Sequence, residues 1–324
     1  CYTYGAEGVL LCLDLASGKR VWQRNTLSEF NVPEAFFGVG STPILENGKL
    51  IVMIGGQPNS AIAALDPATG KTLWENGGEK TWNGAPMIGW PGERTIQWNP
   101  NDPAFEKQAS YCSPVAATLH GKRHLLCVTR QGLISLNPED GSCNFVFWFR
   151  ARHDNTILLS SAYFKNGSVL LKVAPDGKSV TPAWRSLGLE MHWSQPNLVN
   201  GHLYGFSGRN EPDAFFRCLE WETGDVLWQR YDGWPNGGHA KPAPGDKAPN
   251  VFGRGATIFA DGRLIALGES GLLGLYEPNP KAVTELGRWQ VPGLVYPCWA
   301  GPVLAEKKLY LRSEELLICL DWNK

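Results

Sequence analysis

The stretch A-L-D-P-A-T-G-K-T-L-W, Ala64 to Trp74, decides how this chain is read. The same frame stands earlier as C-L-D-L-A-S-G-K-R-V-W, Cys12 to Trp22, and later as C-L-E-W-E-T-G-D-V-L-W, Cys218 to Trp228. Each copy has a small residue, then Leu, then an acid. A Gly follows four positions after the acid, and a Trp four after the Gly. The alternation of S-A-I-A-A-L predicts a strand, D-P-A-T-G a turn, and K-T-L-W the start of a second strand. Upstream, T-P-I-L-E-N-G-K-L-I-V-M-I-G places Asn47-Gly48 between two apolar runs, a two-residue hairpin signal. Equivalent turns are predicted at His120-Gly121, Asn166-Gly167, Asn200-Gly201 and Asp261-Gly262, with Glu306-Lys307 the weakest of the set.

One unit is therefore four antiparallel strands, A to D, with tight A–B and C–D turns. Seven units are expected, their C strands ending near Leu13, Leu65, Leu136, Val173, Leu219, Leu275 and Leu320. A spacing of roughly 40 to 70 residues fits propeller blades better than a strict solenoid. A flat β-sandwich does not explain why the phrase returns. The fold class expected is all-β, a β-propeller of four-stranded antiparallel blades, with residues 1–324 as one domain. The chain opens on a B strand and stops after a C strand. Merging these ends would crowd six strands into one blade, so an N-terminal segment is expected to be missing. Cys1 falls within strand phrasing with no linker, which argues against a lipid anchor there.

The repeated Trp is expected to be architectural. Trp22, Trp74, Trp184, Trp228 and Trp289 open D strands, where a ring can wedge between neighbouring blades. The repeated Gly at 18, 70, 141 and 224 allows the C–D turn a positive φ. Cys12, Cys218 and Cys319 share the small-residue slot that Ala64, Ser135 and Gly274 fill elsewhere, and are expected to be buried thiols. None of the eight cysteines makes a C-x-x-C pair, so the cysteines give no support to a zinc site.

Composition excludes several functions. The 324 residues are 43% hydrophobic, ample for a core, and the formal net charge is -1 with both signs interspersed. No basic stripe suits a phosphate backbone, so nucleic acid is not an expected partner. No apolar run is long enough to span a membrane as a helix.

The A-L-D-x-x-T-G-x-x-x-W phrase resembles the repeat of the pyrroloquinoline-quinone-like propeller superfamily. The resemblance covers essentially the whole chain and is most complete at Ala64–Trp74. It also resembles the non-enzymatic branch, which includes the propeller lipoprotein of the bacterial outer-membrane assembly machine. It implies an eight-bladed parent ring and an extracytoplasmic location: periplasmic, outer-membrane-associated or secreted. Quinoprotein alcohol dehydrogenases of the superfamily hold their quinone against a Trp floor and a disulfide between adjacent cysteines. A Ca²⁺ on acidic and Asn side chains, and an Asp base, complete their site. This chain has no Cys-Cys dipeptide, and its Asp residues fall mostly in turns. No cofactor is expected, with pyrroloquinoline quinone and calcium as the alternative.

Strand direction places the long D–A and B–C connections together, at 26–40, 76–111 and 231–253. Long loops on a rigid scaffold are the usual place for binding. Trp82, Trp90 and Trp98 lie in 76–111, and Trp234 and His239 in 231–253. These Trp residues either pack as a lid or present an aromatic surface. Residues just before the A strands add Tyr111, Asn155, His192, Trp193, Arg254 and Trp299, and B–C turns add Glu7, Glu269 and Glu314. Such a mouth suits a ligand with hydroxyls or a carboxylate, or a solvated channel. His192 as a general base competes with His192 as a packing residue. Adjacent His153 and Asp154 point to opposite faces of a strand and make no triad. No hydrolase, metalloprotease or phosphate-loop motif is present. The function expected is an exported binding or assembly scaffold for a partner protein or glycan. The alternatives are a quinoprotein oxidoreductase, a carbohydrate-active propeller enzyme, or a structural subunit of a large complex.

Overall fold

The computed structural model describes the chain except residues 33–37, 57, 78–86, 89–95, 98–111, 130–131, 148–155, 163–166, 210–213, 233–249 and 322–324. Among the described residues, strands follow one another in chain order within seven separate antiparallel sheets. This is the β-propeller class, and each sheet is a blade. Blade 1 holds Tyr2–Tyr4, Val9–Leu13 and Arg20–Asn25. Blade 2 holds Ile44–Glu46, Lys49–Gly56, Ser60–Leu65 and Thr72–Asn76. Blade 3 holds Val115–Leu119, Lys122–Val128, Leu133–Leu136 and Cys143–Phe147. Blade 4 holds Thr156–Ser161, Gly167–Val173 and Val180–Ser186.

Blade 5 holds Asn197–Val199, His202–Ser207, Phe215–Glu220 and Val226–Tyr231. Blade 6 holds Gly255–Ala260, Arg263–Gly268, Leu272–Glu277 and Thr284–Gln290. Blade 7 holds Val303–Ala305, Lys308–Arg312 and Leu317–Asp321. The chain divides into two compact units, one of Cys1–Leu159 with Leu171–Ala183, the other of Ser160–Leu170 with Trp184–Lys324.

The expected A–B turns form at Asn47-Gly48, His120-Gly121, Asn200-Gly201, Asp261-Gly262 and Glu306-Lys307. Both residues of each have positive φ, the two-residue geometry that matches strand twist. The turn expected at Asn166-Gly167 lies partly outside the described residues; Gly167 has φ +64°. Asn166 lies outside the described residues, and Gly167 opens the middle strand of blade 4, a C strand. A side chain at Gly167 would overlap the Ser186 carbonyl, so close packing also requires a glycine there. Blade 4 accordingly has three described strands, not four. In the 76–111 stretch, Met87–Ile88 pairs antiparallel with Ile96–Gln97, so that connection contains a small hairpin.

The repeated phrase has a physical explanation. The Trp22 indole N–H donates to the Pro67 carbonyl at 2.9 Å, and Trp74 donates to Pro138 at 3.2 Å. In the second unit Trp184 donates to Trp221 at 2.8 Å, and Trp228 to Asn279 at 2.8 Å. Each acceptor lies in the C–D turn of the following blade. The same turn presents its Gly to the ring. A Cβ at Gly70, Gly141 or Gly224 would sit 3.0, 2.5 or 2.6 Å from Trp22, Trp74 or Trp184. These glycines also carry positive φ, near 72° at Gly70, where side chains are strained.

The turn itself is pinned by its acid. Asp66 accepts from Thr69 N and Oγ1, and the Gly70 N–H donates to the Asp66 carbonyl. Across the C–D hairpin the ring faces the small slot: Cys12 pairs with Trp22, Ala64 with Trp74 and Cys218 with Trp228. The residue two beyond the Trp adds a bond. Arg24 Nη1 donates to the Gly70 carbonyl at 2.8 Å, and Asn76 Nδ2 to that of Gly141 at 2.6 Å.

Two members of the pattern depart from expectation. Trp289 is 48% exposed rather than wedged. Cys319 is exposed, while Cys12 and Cys218 are buried. Cys319 lies on Leu317–Asp321, which has no further strand beside it among the described residues, so its face is left open. Blade 3 has no Trp in the slot; its junction to blade 4 uses the His120 ring N–H on the Val173 carbonyl and Lys122 Nζ on that of Asp176.

Between adjacent blades of one unit lie apolar layers. Ile51, Met53, Ile62 and Ala64 of blade 2 pack against Leu125, Cys127, Ile134 and Leu136 of blade 3. Tyr204, Phe206, Phe216 and Cys218 of blade 5 pack with Phe252, Leu264, Ala266, Leu272 and Tyr276. Burial drives the Cys127 and Tyr276 pKa values upward, as expected of groups whose charged forms lose water. No helix among the described residues is long and apolar enough to cross a membrane.

This arrangement predicts a graded response at Trp74. Trp74→Phe keeps most of the ring and loses the bond to Pro138, for a cost of about 1 kcal/mol. Trp74→Ala also empties the space beside Gly141, for about 3–5 kcal/mol. Guanidinium unfolding of both variants checks the order, and equal costs would contradict the dock.

Candidate functional site

In the second unit, three successive D–A connections and one B–C turn bring together five of the residues singled out from the sequence. Leu187–Pro196 carries His192 and Trp193. Asn250–Arg254 leads into blade 6, and Val291–Pro302 leads into blade 7 with Trp299. Glu269 stands in the B–C turn of blade 6. The centre is an ion pair. Arg254 Nη2 lies 2.7 Å and Nε 3.1 Å from Glu269 Oε2, and the Arg254 backbone N–H donates to Oε1 at 3.1 Å. The Arg254 side chain is 9% exposed and that of Glu269 0%.

Local sequence makes this approach possible. Gly253 has φ +62°, and a Cβ there would lie 2.5 Å from Glu269 Oε1. Only a glycine lets the chain pass so close to the carboxylate. The Glu269 backbone N–H donates to the carbonyls of Phe252 and Arg254, and its carbonyl accepts from the Cys298 N–H at 2.8 Å. At the base of the 231–253 connection, Gly253 N donates to the Asp232 carbonyl and Phe252 N to Asp232 Oδ1. The two ends of that connection are thus clamped together.

The guanidinium is fully engaged. Nη1 donates to the Arg209 carbonyl at 2.6 Å and lies 3.4 Å from His192 Nδ1. Its carbon sits 4.5 Å from the centre of the Trp193 ring, a cation–π contact. Trp193 leans on Trp299 at 5.9 Å, and Tyr296 meets Trp299 edge-on at 6.0 Å and 86°. His192 packs against Trp193 at 5.2 Å. Among the described residues the buried Trp193 indole nitrogen has no hydrogen-bond partner.

The ionisable groups are tuned toward inertness. The Tyr296 hydroxyl is pushed above its ordinary value by burial first and by the Glu269 charge, with Arg254 opposing. The Cys298 thiol is pushed up to about 11, again by burial first and then Glu269. A thiol so raised is protonated at neutral pH and is a poor nucleophile. What the arrangement offers is an aromatic surface backed by a buried ion pair. Trp299 is 46% exposed and the neighbouring Val295 57%.

Tyr111, Asn155, Trp82, Trp90, Trp98, Trp234, His239, His153 and Asp154 lie outside the described residues. Glu7, of the first unit, and Glu314, of blade 7, are exposed. Arg254 and Glu269 meet each other in an ion pair. Tyr296, Gly253 and the Arg209 carbonyl were not foreseen. The V-Y-P-C-W run, Val295 to Trp299, carried the signal for Tyr296. Attention to the residue nearest each A strand passed over it.

The fold is a β-propeller, and its repeated phrase is similar to PQQ-like repeats. Residues 1–144 match the family model described as outer membrane protein assembly factor BamB. Among solved structures, BamB from Moraxella catarrhalis is 13% identical, with 98% of this chain and 92% of that chain covered and a TM-score of 0.46. The quinohemoprotein alcohol dehydrogenase from Comamonas testosteroni is 15% identical, with 96% of this chain and 60% of that chain covered and a TM-score of 0.53. Sqt1 from Saccharomyces cerevisiae is 11% identical, with 88% and 71% covered and a TM-score of 0.53. At these identities the last two likenesses show the fold alone. No curated protein matches the sequence.

The ion pair sets a testable asymmetry. Glu269→Ala strands a buried guanidinium and should cost about 3–5 kcal/mol in urea unfolding. The double variant Arg254→Met with Glu269→Leu, which removes both charges, should cost clearly less than Glu269→Ala alone. A double variant at least as damaging as Glu269→Ala would show that the charges are not the main term.

Proposed function

We propose that this protein is an exported scaffold that binds a partner protein through the aromatic loop end of its second unit. One observation carries the reading. Trp193, Tyr296 and Trp299 are held as a rigid set by a buried, mutually satisfied Arg254–Glu269 pair, with Trp299 and Val295 half-exposed beside it. Partly exposed Trp and Tyr on a fixed support are the residue types that anchor protein interfaces, because they bury much area at little conformational cost. The match of residues 1–144 to a family described as an assembly factor supports the same class of function, and with it a place at the outer membrane.

The alternative, a quinoprotein oxidoreductase, is favoured by the likeness to the alcohol dehydrogenase fold. Features of the described residues speak against its cofactor. Glu269 is already neutralised by Arg254, which leaves it unsuited to share a divalent cation. Among the described residues no group of three His, Cys, Asp or Glu side chains stands close enough to hold a metal ion. No disulfide joins any of the cysteines among them.

The test is cross-linking and mass spectrometry of complexes captured from the natural source. Trp299→Ala, which loses its ring contacts with Trp193 and Tyr296, should lower unfolding stability by about 1–3 kcal/mol while leaving the chain folded, and weaken partner capture about thirtyfold. Unchanged capture by the folded variant would overturn the proposal. Retention of a defined glycan in place of any protein would replace it with the carbohydrate reading.

A further inference from the structure

Blade 3 places a histidine where four other blades dock a tryptophan. In its D strand Phe145 pairs with Ser135 as Trp74 pairs with Ala64, so the slot holds a ring without an N–H. The C–D turn of blade 4 still presents its glycine. Gly177 has φ +70°, and its N–H donates to the Ala174 carbonyl. The ring that covers it is His124, from the B strand of blade 3. A Cβ at Gly177 would lie 3.0 Å from His124 Nε2 and 3.1 Å from Cε1. His124 is 1% exposed and Ser135 0%. Phe145 flanks the imidazole at 6.1 Å.

The hydrogen bonds fix where a proton would have to enter. His124 Nδ1 lies 2.8 Å from Ser135 Oγ, and Ser135 Oγ accepts from Asn144 Nδ2 at 3.4 Å. A fully buried hydroxyl needs an acceptor for its own O–H, and Nδ1 is the acceptor within reach. The neutral ring therefore carries its proton on Nε2, against Gly177. A second proton must displace the Ser135 hydroxyl from Nδ1, and it leaves a full charge out of water. The surrounding charges oppose it. Lys122 and His120 stand on the same hairpin and are committed to blade 4, Lys122 Nζ on the Asp176 carbonyl at 2.6 Å and His120 on that of Val173 at 3.0 Å. Arg123, beside His124 in the chain, is paired with Glu46. In the blade 4 turn, Asp176 Oδ1 is engaged by the Lys178 N–H at 2.9 Å. Burial first, then Lys122 and His120, hold His124 below its ordinary value.

We propose that the seam between blades 3 and 4 is acid-sensitive and opens when His124 takes up a proton. The closed seam holds His124 below its ordinary value, so the opened seam binds the extra proton more readily. Stability from the neutral ring is complete above about pH 6.5 and is lost as pH falls through the window below it. Each unit of pH there raises the open fraction by up to about tenfold. The neighbouring ion pairs do not answer in this window. Glu46 with Arg123, and Glu139 with Lys49, are held by those partners below the usual carboxylate range and stay charged. A charged His124 would share one sign with Lys122 and His120, the two side chains that bind the same turn of blade 4. The three contacts of this hairpin are then lost together.

Hydrogen exchange of the whole chain, followed by mass spectrometry from about pH 7.5 to about pH 5 and corrected for the intrinsic rate, reads the opening. Protection of Lys122–Val128 and of the turn around Gly177 should fall below about pH 6.5, by up to about tenfold per unit. Protection of Phe215–Glu220 and Leu272–Glu277 should not change over the same range. The double variant His124→Phe with Ser135→Ala keeps a ring over Gly177, strands no hydroxyl and has nothing to titrate there. Its seam should be equally protected at both ends of the range. His120→Gln keeps a donor for Val173 and should retain the pH dependence of the parent. A second reading needs no variant: in ¹⁵N NMR of the parent near about pH 6, closed-seam His124 should be neutral with its proton on Nε2. Seam protection that ignores pH, a pH dependence that survives in the double variant or vanishes in His120→Gln, or a charged His124 in the closed seam would overturn the proposal. So would an equal loss of protection in blades 5 and 6, because the seam would then not open by itself.

Discussion

The rest of the structure depends on an indole N–H donating to the first carbonyl of the next blade's C–D turn. A blade has two apolar faces and cannot bury either alone. Stacking blades within a unit buries them, but apolar contact is non-directional and fixes no register between sheets. The Trp bond supplies direction. Once the ring must lie on the turn, the turn needs a residue without a side chain, and Gly70, Gly141 and Gly224 meet that need. The partner across the hairpin must be small, and Cys12, Ala64 and Cys218 are. The acid then holds the turn in shape. A phrase of eleven residues is thus one device read in order.

Because the turns at one end of each blade are spent on docking, variation gathers at the other end. There the D–A connections of the second unit assemble Arg254, Glu269 and their aromatic neighbours. The pair contributes little net stability, since removing two charges from water costs about as much as their attraction returns. What it does is fix geometry. Four bonds and a stacked ring hold the guanidinium in place, and Trp193, Trp299 and Tyr296 are ordered around it. A surface preorganised in this way loses little entropy on binding.

The sequence made the blades legible because period-2 alternation, two-residue turns and the Trp phrase are all local. Asn47-Gly48 could be read from two letters, and its positive φ angles agree. The failures are non-local. At Gly167 the close approach of the Ser186 carbonyl, which no local pattern announces, adds a second need for glycine. Cys319 shared a slot with Cys12, yet burial is decided by the strand that lies alongside, which no local pattern encodes. At the site, His192, Trp193, Arg254, Glu269 and Trp299 were found from their place before A strands or in B–C turns. That Arg254 and Glu269 would neutralise each other was not legible. Neither the 15-residue separation nor the intervening hairpin announces the contact. Tyr296 was missed because it lies three residues from the position that topology singled out.

Hydrogen exchange of the tryptophan indole N–H groups, followed by ¹⁵N NMR, tests the docking account most directly. Exchange from Trp22, Trp74, Trp184 and Trp228 should be slow and should speed up only with unfolding of the blades they join. Trp289 should exchange at the rate of a solvent-exposed indole. Four docked indoles exchanging as fast as Trp289 would contradict the account.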